Sequence, residues 1–200
     1  DRGVIAMAKK NSRATRAKIV SAAWKLFYEQ GYEDTTVEEI IEVSQTSKGS
    51  FYHYFDGKDA LLSTLSSLFD EKYEELTGLL TPEMTAMEQL LFLNRELFHM
   101  IEDSISLDLL ARLYSTQLTT NGEKHLLDHN RIYYKLLRKI IAKGQAEGQL
   151  SSRSNVNEMV KMYALCERAL LYDWCLCAGE YALTEYSAKV LPGFLSSFLP

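Results

Sequence analysis

Proline is scarce in this chain, 3 in 200 residues, and glycine is limited to 10. Both residues break helices, so their scarcity beside abundant Leu, Ala, Glu and Lys favours helical structure. No segment sustains strand alternation, no stretch is of low complexity, and no internal repeat occurs. No apolar run reaches the roughly 18 residues that a membrane-spanning helix needs. The opening Asp1-Arg2-Gly3-Val4-Ile5-Ala6 lacks the charged-then-apolar build of a signal peptide, and the six residues before Met7 read as a vector-derived remnant. Cysteine is confined to Cys166, Cys175 and Cys177, an odd number with no disulfide-framework spacing. These thiols read as buried small hydrophobes in a reducing cytoplasm, with redox sensing as the lesser alternative.

Catalytic signatures are missing as well. There is no phosphate-cradling glycine-rich loop and no nucleophile elbow. His125 and His129 stand i, i+4 on an expected helix, but they lack the acid of a HExxH site, and Asp128 merely adjoins the second. A solvated helix face is the simpler reading. Nothing here calls for a metal or a cofactor, and an enzyme is the weakest of the available classes.

The charge that is present is unevenly placed. Residues 1–58 carry 9 Lys+Arg against 8 Asp+Glu, whereas 59–200 carry 13 against 19, so the formal charge of −5 belongs to the second part. Arg2, Lys9, Lys10, Arg13, Arg16, Lys18 and Lys25 face only Asp1 within the first 25 residues. A basic start on an acidic body points to a polyanionic partner.

Helical periodicity begins with Ile19, Ala22, Ala23, Leu26 and Phe27, and Gly31 closes that helix. Thr36 reads as an N-cap, with Glu38 and Glu39 in the first turn where the helix dipole favours acid. Val37, Ile40, Ile41 and Val43 are expected to face inward on this short second helix, which stops near Ser44. Ser47 caps a third, from Lys48 to Phe55, and Asp56-Gly57 marks a turn. A longer helix then carries Leu61, Leu62, Leu65, Leu68, Phe69, Tyr73 and Leu76. Thr81-Pro82 signals the next start, and further helices are expected near 83–103, 105–118, 122–147, 155–178 and 184–198. Gly144 and Gly148 are expected to loosen the end of the third of these. The fold class is all-α, about nine helices. A basic arm occupies 1–11, a three-helix helix-turn-helix domain 12–57, and a larger helical domain 58–200, whose expected ligand-binding and dimerisation roles come from the resemblance described below.

Two short helices joined by about three residues suit a helix-turn-helix, whose second helix enters the major groove N-terminus first. That helix carries a cation in Lys48, a close-approach glycine in Gly49, a hydroxyl in Ser50, and Tyr52, His53 and Tyr54. Such groups can reach phosphates or base edges. A pair of ordinary packing helices with surface aromatics is the alternative on residues alone.

Residues 13–62 resemble the DNA-binding domain of the TetR family of transcriptional regulators. The resemblance rests on Ile19-x-x-Ala22-Ala23-x-x-Leu26-Phe27-x-x-x-Gly31-Tyr32 and on Thr35-Thr36-Val37-x-x-Ile40. It closes with Ser47-Lys48-Gly49-Ser50-Phe51-Tyr52-His53-Tyr54-Phe55-x-x-Lys58-x-x-Leu61. It implies that Thr36 caps the second helix and touches phosphate, and that Ser47, Lys48, Gly49 and Ser50 lie at the major groove. It further implies that Tyr52 and Tyr54 contact phosphates, that His53 faces groove or solvent, and that Lys58 anchors a neighbouring phosphate. Gln45 and Thr46 depart from the family's usual glycine and apolar residue at the turn, so a differently built turn is expected. Ile41 replaces a small residue and is expected to shift the spacing of the second and third helices.

The resemblance also implies a homodimer on a palindromic operator, usually as a repressor released by a small-molecule effector. The expected dimer surface is Met162, Leu165, Ala169 and Tyr172 with Tyr186, Val190 and Phe194. A second stripe on the same helix (Met159, Tyr163, Cys166, Leu170) competes with it for the core, and the sequence does not separate the two. Phe69, Met100, Tyr114, Tyr133 and Tyr163 are candidates to line a pocket for a lipophilic or aromatic effector. A purely protein-binding helical module is the remaining class.

Overall fold

The structure, a computed structural model, describes the backbone of residues 2–119 and 124–200, with side chains from residue 12 onward in those spans. The side chains of Arg2, Lys9 and Lys10 of the basic arm, and the start of the helix expected at 122, lie outside what is described. Among the described residues there are ten α-helices, two 3-10 turns and no strand. The chain divides into two compact units, Asp1–Leu65 and Ser66–Pro200.

The first unit holds α1 (Arg2–Gln30), α2 (Val37–Ser44), α3 (Lys48–Tyr54) and α4 (Lys58–Leu62). α1 packs on α2 and α3, and Ile19, Ala23, Phe27, Ile40, Phe51, Phe55, Leu61 and Leu62 are all buried. Gly31, at φ +89°, closes α1 with its N–H on the Phe27 carbonyl. The helix expected to run on from residue 58 is broken at Ser63–Thr64. There the Ser63 hydroxyl donates to the Ala60 carbonyl and the Thr64 hydroxyl to that of Leu61, while the Trp24 indole N–H donates to Thr64 Oγ1 at 2.9 Å. Side chains that bond back to the preceding turn compete with helix continuation. This break puts the unit boundary at 65/66 rather than the expected 57/58.

The second unit contains α5 (Leu65–Thr77), α6 (Ala86–Ser104), α7 (Leu107–Thr119), α8 (Ile132–Ala146), α9 (Val156–Leu176) and α10 (Leu183–Leu195). Several starts differ from expectation. Thr81-Pro82 opens a turn closed by the Met84 N–H on the Thr81 carbonyl, and α6 begins four residues later. Its cap is Thr85, in a reciprocal box with Glu88: Thr85 N–H donates to Glu88 Oε2 at 2.7 Å and Glu88 N–H to Thr85 Oγ1 at 3.2 Å. The expected 122–147 helix starts only at Ile132. His125 sits in the 3-10 turn His125–Leu127 and His129 lies beyond it, so the two do not share a helix face. Gly144 is a close approach rather than a loose end. A Cβ there would lie 2.6 Å from the Ala86 Cβ and 2.8 Å from Leu150 Cδ1.

The competing stripes of α9 are resolved by packing. Met159, Tyr163, Cys166 and Leu170 are buried, whereas Leu165 and Tyr172 are 57% and 46% exposed. Only Cys166 is a buried thiol; Cys175 and Cys177 are half-buried. Desolvation pushes Cys166 and Cys175 up to about 11, which disfavours the thiolate that redox chemistry requires.

Candidate nucleic-acid interface and helical cavity

Thr36 adopts an extended backbone at the start of α2. Its hydroxyl accepts from the Glu39 N–H at 3.2 Å, and the Glu39 carboxylate accepts from the Thr36 N–H at 2.7 Å and from the Thr36 hydroxyl at 2.8 Å. The bonds donated to the carboxylate by the Thr36 N–H and hydroxyl, with a further one from Gln30, hold the Glu39 carboxyl below the usual range. The turn that follows is left-handed after all: Gln45 takes φ 54°, ψ 41°. The Gln45 N–H donates to Glu42 and the Thr46 N–H to Ile41, a closure that a glycine would make without strain. Ser44, rather than Val43, turns inward. Its buried hydroxyl lies 2.7 Å from Thr46 Oγ1, while Val43 is 44% exposed. Ile41 is half-buried.

Ser47 caps α3, accepting from the Ser50 N–H at 3.0 Å. Phe51 anchors the helix with no exposed surface, and this leaves Lys48, Gly49, Tyr52 and His53 on the outer face with Ser47. Lys48 is loosely paired with Glu38 at 3.7 Å, and both side chains are strongly exposed. Such a contact costs little to exchange for phosphate. Ser50 and Tyr54 are half-buried; the Ser50 hydroxyl faces Ser47 at 2.9 Å, and the Tyr54 hydroxyl donates to Ser12 Oγ at 2.8 Å.

Lys58 is placed otherwise than expected. Its ammonium donates to the carbonyls of Tyr32, Glu33 and Thr35 at 2.6, 3.2 and 2.9 Å and lies over the Tyr32 ring. An ammonium has three protons, so these bonds use them all on the loop between α1 and α2. The Tyr32 hydroxyl is in turn held by Asp59.

The second unit holds a small, partly open cavity of about 50 Å³ whose wall includes Phe69, Tyr73, Tyr114, Tyr133, Glu167 and Arg168. Three of the five expected pocket residues, Phe69, Tyr114 and Tyr133, therefore meet at one cavity. Tyr163 lies outside its wall, donating to the Leu90 carbonyl at 2.8 Å, and Met100 does not line it. Glu167 was not expected. Its carboxylate accepts from Asn94 Nδ2 at 2.9 Å and from the Tyr133 hydroxyl at 2.6 Å, and Asn94 accepts from Ser187 of α10 at 2.5 Å. Burial pushes Glu167 above the usual carboxylate range, against the opposing hydrogen bonds of Tyr133 and Asn94. A charged residue inside the buried stripe of α9 was the available signal for it. Tyr73, also unforeseen, is 2% exposed and its hydroxyl has no partner. No metal-ligand cluster occurs among the described residues.

A helix-turn-helix unit with an open second helix, joined to a cavity-bearing helical unit, defines the class of helical DNA-binding regulators. Residues 19–65 match the model of bacterial regulatory proteins of the TetR family. An uncharacterised HTH-type transcriptional regulator of Lactococcus lactis is 40% identical over 58 residues, which cover 28% of this chain and 30% of that protein. The chain thus aligns with less than a third of that relative. The fatty acid metabolism regulator protein of Bacillus subtilis is 23% identical over 91% of this chain and 94% of its own. The crystal structure of the TetR-family repressor FadR of Thermus thermophilus, in complex with lauroyl-CoA, superposes with a TM-score of 0.73. It is 25% identical and covers 92% of this chain and 95% of that one. Residues 19–65 thus carry the DNA-binding domain of the TetR family, and these relatives are regulators rather than enzymes.

Proposed function

We propose that this chain is a cytoplasmic transcriptional repressor that binds a palindromic operator as a homodimer and is released by a lipophilic small molecule. The observation that carries the reading is the outer face of α3, where Lys48, Gly49, Tyr52 and His53 stand exposed on a helix anchored by Phe51. Ser47, Ser50 and the capped Thr36 adjoin it as further DNA contacts, and Tyr54 contributes through its ring edge more than through its occupied hydroxyl. Lys58 supports the loop behind this face and is not among the contacts proposed.

Dimerisation follows from the exposed stripe of α9. Leu165, Tyr172 and Leu176 are 57%, 46% and 66% exposed, with Met162 and Ala169 in line, and Tyr186, Val190 and Phe194 continue the apolar surface on α10. An unpartnered apolar stripe of this length is costly in a monomer, and a two-fold pairing would cover it. Pairing also supplies the second recognition helix that two half-sites require. Release follows if the effector favours a dimer geometry in which the paired helices no longer match those half-sites. Two acyl-CoA-bound neighbours of the same fold favour a lipophilic effector.

The test is fluorescence anisotropy with the DNA upstream of the chain's own gene. Lys48→Ala and Tyr52→Ala should both weaken binding, and affinity should fall steeply with salt. Unchanged affinity in both variants refutes the assignment of α3.

A further inference from the structure

We propose that the cavity of the second unit takes a small carboxylate with an apolar body, its carboxylate on Arg168 and the Tyr73 hydroxyl. This deepens the effector reading above and rests on it. Two adjoining chambers are involved. The inner, about 50 Å³, is the one described; the outer, about 150 Å³, is lined by Gln117, Leu118, Lys124 and Leu127. Tyr114, Leu126 and Arg168 border both.

Polar demand in these walls is one-sided. Arg131 is spent: its guanidinium holds Asp70 through two bonds of 2.9 and 3.1 Å and donates to the Ser66 carbonyl at 3.1 Å. Glu167 is also served, by Asn94 and Tyr133. Arg168 makes no ion pair at contact distance among the described residues, its attraction to Glu167 acting at longer range, and its one hydrogen bond is to the Tyr134 hydroxyl at 3.2 Å. A guanidinium has five donors in a planar fork that matches a carboxylate, so most of that capacity is unused. The orphaned Tyr73 hydroxyl is a second donor in the same wall. A buried polar group without a partner costs free energy that a ligand oxygen would recover. Desolvation keeps this phenol protonated, hence able to donate.

A cation is the poorer fit. Among the described residues the only carboxylate in the wall, Glu167, already accepts two bonds, and Arg168 and Lys124 would repel a cation. Apolar residues, namely Phe69, Leu97, Leu126 and Leu171, make up the rest of the inner lining and receive the ligand's body. Chambers of this size suit a compact acid and exclude a long acyl chain unless the helices part.

Calorimetry on the full chain tests this with 3-phenylpropionate, 3-phenylpropanamide and 3-phenylpropylamine, and with hexanoate, hexanamide and hexylamine. At least one acid should bind, its amide at least about tenfold more weakly, and its amine not at all. Arg168→Gln should weaken the acid by about tenfold or more, Tyr73→Phe by several-fold, and Arg168→Lys by less than Arg168→Gln. Tyr73→Phe removes only an unpartnered oxygen, so its fold is preserved. The proposal is overturned if neither acid binds, if an amine binds better than its acid, if both variants bind the acid normally, or if lauroyl-CoA binds more tightly than either acid. Repeating the titration with operator DNA bound separates the two readings: acid binding without DNA release refutes effector control and leaves the ligand assignment standing.

Discussion

Lys58 distinguishes two roles that sequence resemblance alone would merge. A phosphate anchor contributes to DNA affinity and little to folding; a clamp on the loop between α1 and α2 does the reverse. The structure gives the clamp a magnitude. Of the three carbonyls that the ammonium holds, those of Tyr32 and Thr35 are engaged by part-buried bonds at 2.6 and 2.9 Å, while that of Glu33 is exposed and can take water instead. Counting only the two part-buried bonds, at about 1.5 kcal/mol each for a charged donor, Lys58→Met costs about 3 kcal/mol. The methionine retains an apolar chain over Tyr32, so the loss isolates the donors. In a chain of this size, at roughly 2–4 °C per kcal/mol, Tm falls by about 6–12 °C. Thermal unfolding followed by circular dichroism measures this. The salt dependence of operator binding, taken well below the transition, should be unaltered in slope. Should Tm stay constant while the slope of log K against log salt shrinks by about 0.9, one phosphate contact has been lost and the clamp argument is wrong.

Three further outcomes are expected. Gln45→Gly relieves a left-handed non-glycine residue but gains unfolded-state freedom, so chemical denaturation should show a net stabilisation of about 0.5–1 kcal/mol; a destabilised variant would mean that the Gln45 side chain makes a contact outweighing the strain. Gly144→Ala gains about 1 kcal/mol of helix propensity but drives a methyl to 2.6 Å from Ala86, so a net loss of about 1–2 kcal/mol is expected, and a stabilised protein would refute the close approach. Glu167 has a folded-state pKa raised by burial, so its ionisation opposes folding: the penalty is absent below the unfolded-state pKa and grows as pH rises through and above it. Denaturation of Glu167→Gln should therefore show its stability rising relative to wild type from about pH 5 to about pH 8, and a difference constant over that window would contradict the shift.

Local information was enough for the caps and apolar spacing of α1, α2 and α3. The capping residues Thr36 and Ser47, the apolar spacing of Ile19, Ala23 and Phe27, and Gly31 act within one or two turns of the chain, so they are readable residue by residue. The same reading misplaced the start of α6, because Thr81-Pro82 and Thr85 both resemble caps and only the Glu88 bond separates them. It let a helix run through Ser63–Thr64, since the bond that helps to end it comes from Trp24, forty residues away.

The turn of the helix-turn-helix, where sequence departs from its family, shows the same division. Composition and pattern determined by themselves an all-helical chain with its capped, basic-flanked second and third helices. Tertiary structure decided that Gln45 accepts the left-handed backbone, that Lys58 turns inward, and which stripe of α9 is buried. It also decided that Tyr73, Tyr133, Glu167 and Arg168, spread over nearly a hundred residues, face one cavity. The physical reason is range. Caps and periodicity depend on neighbours along the chain, whereas burial, the partnering of a buried polar group and the charge balance of a cavity depend on residues that only packing brings together.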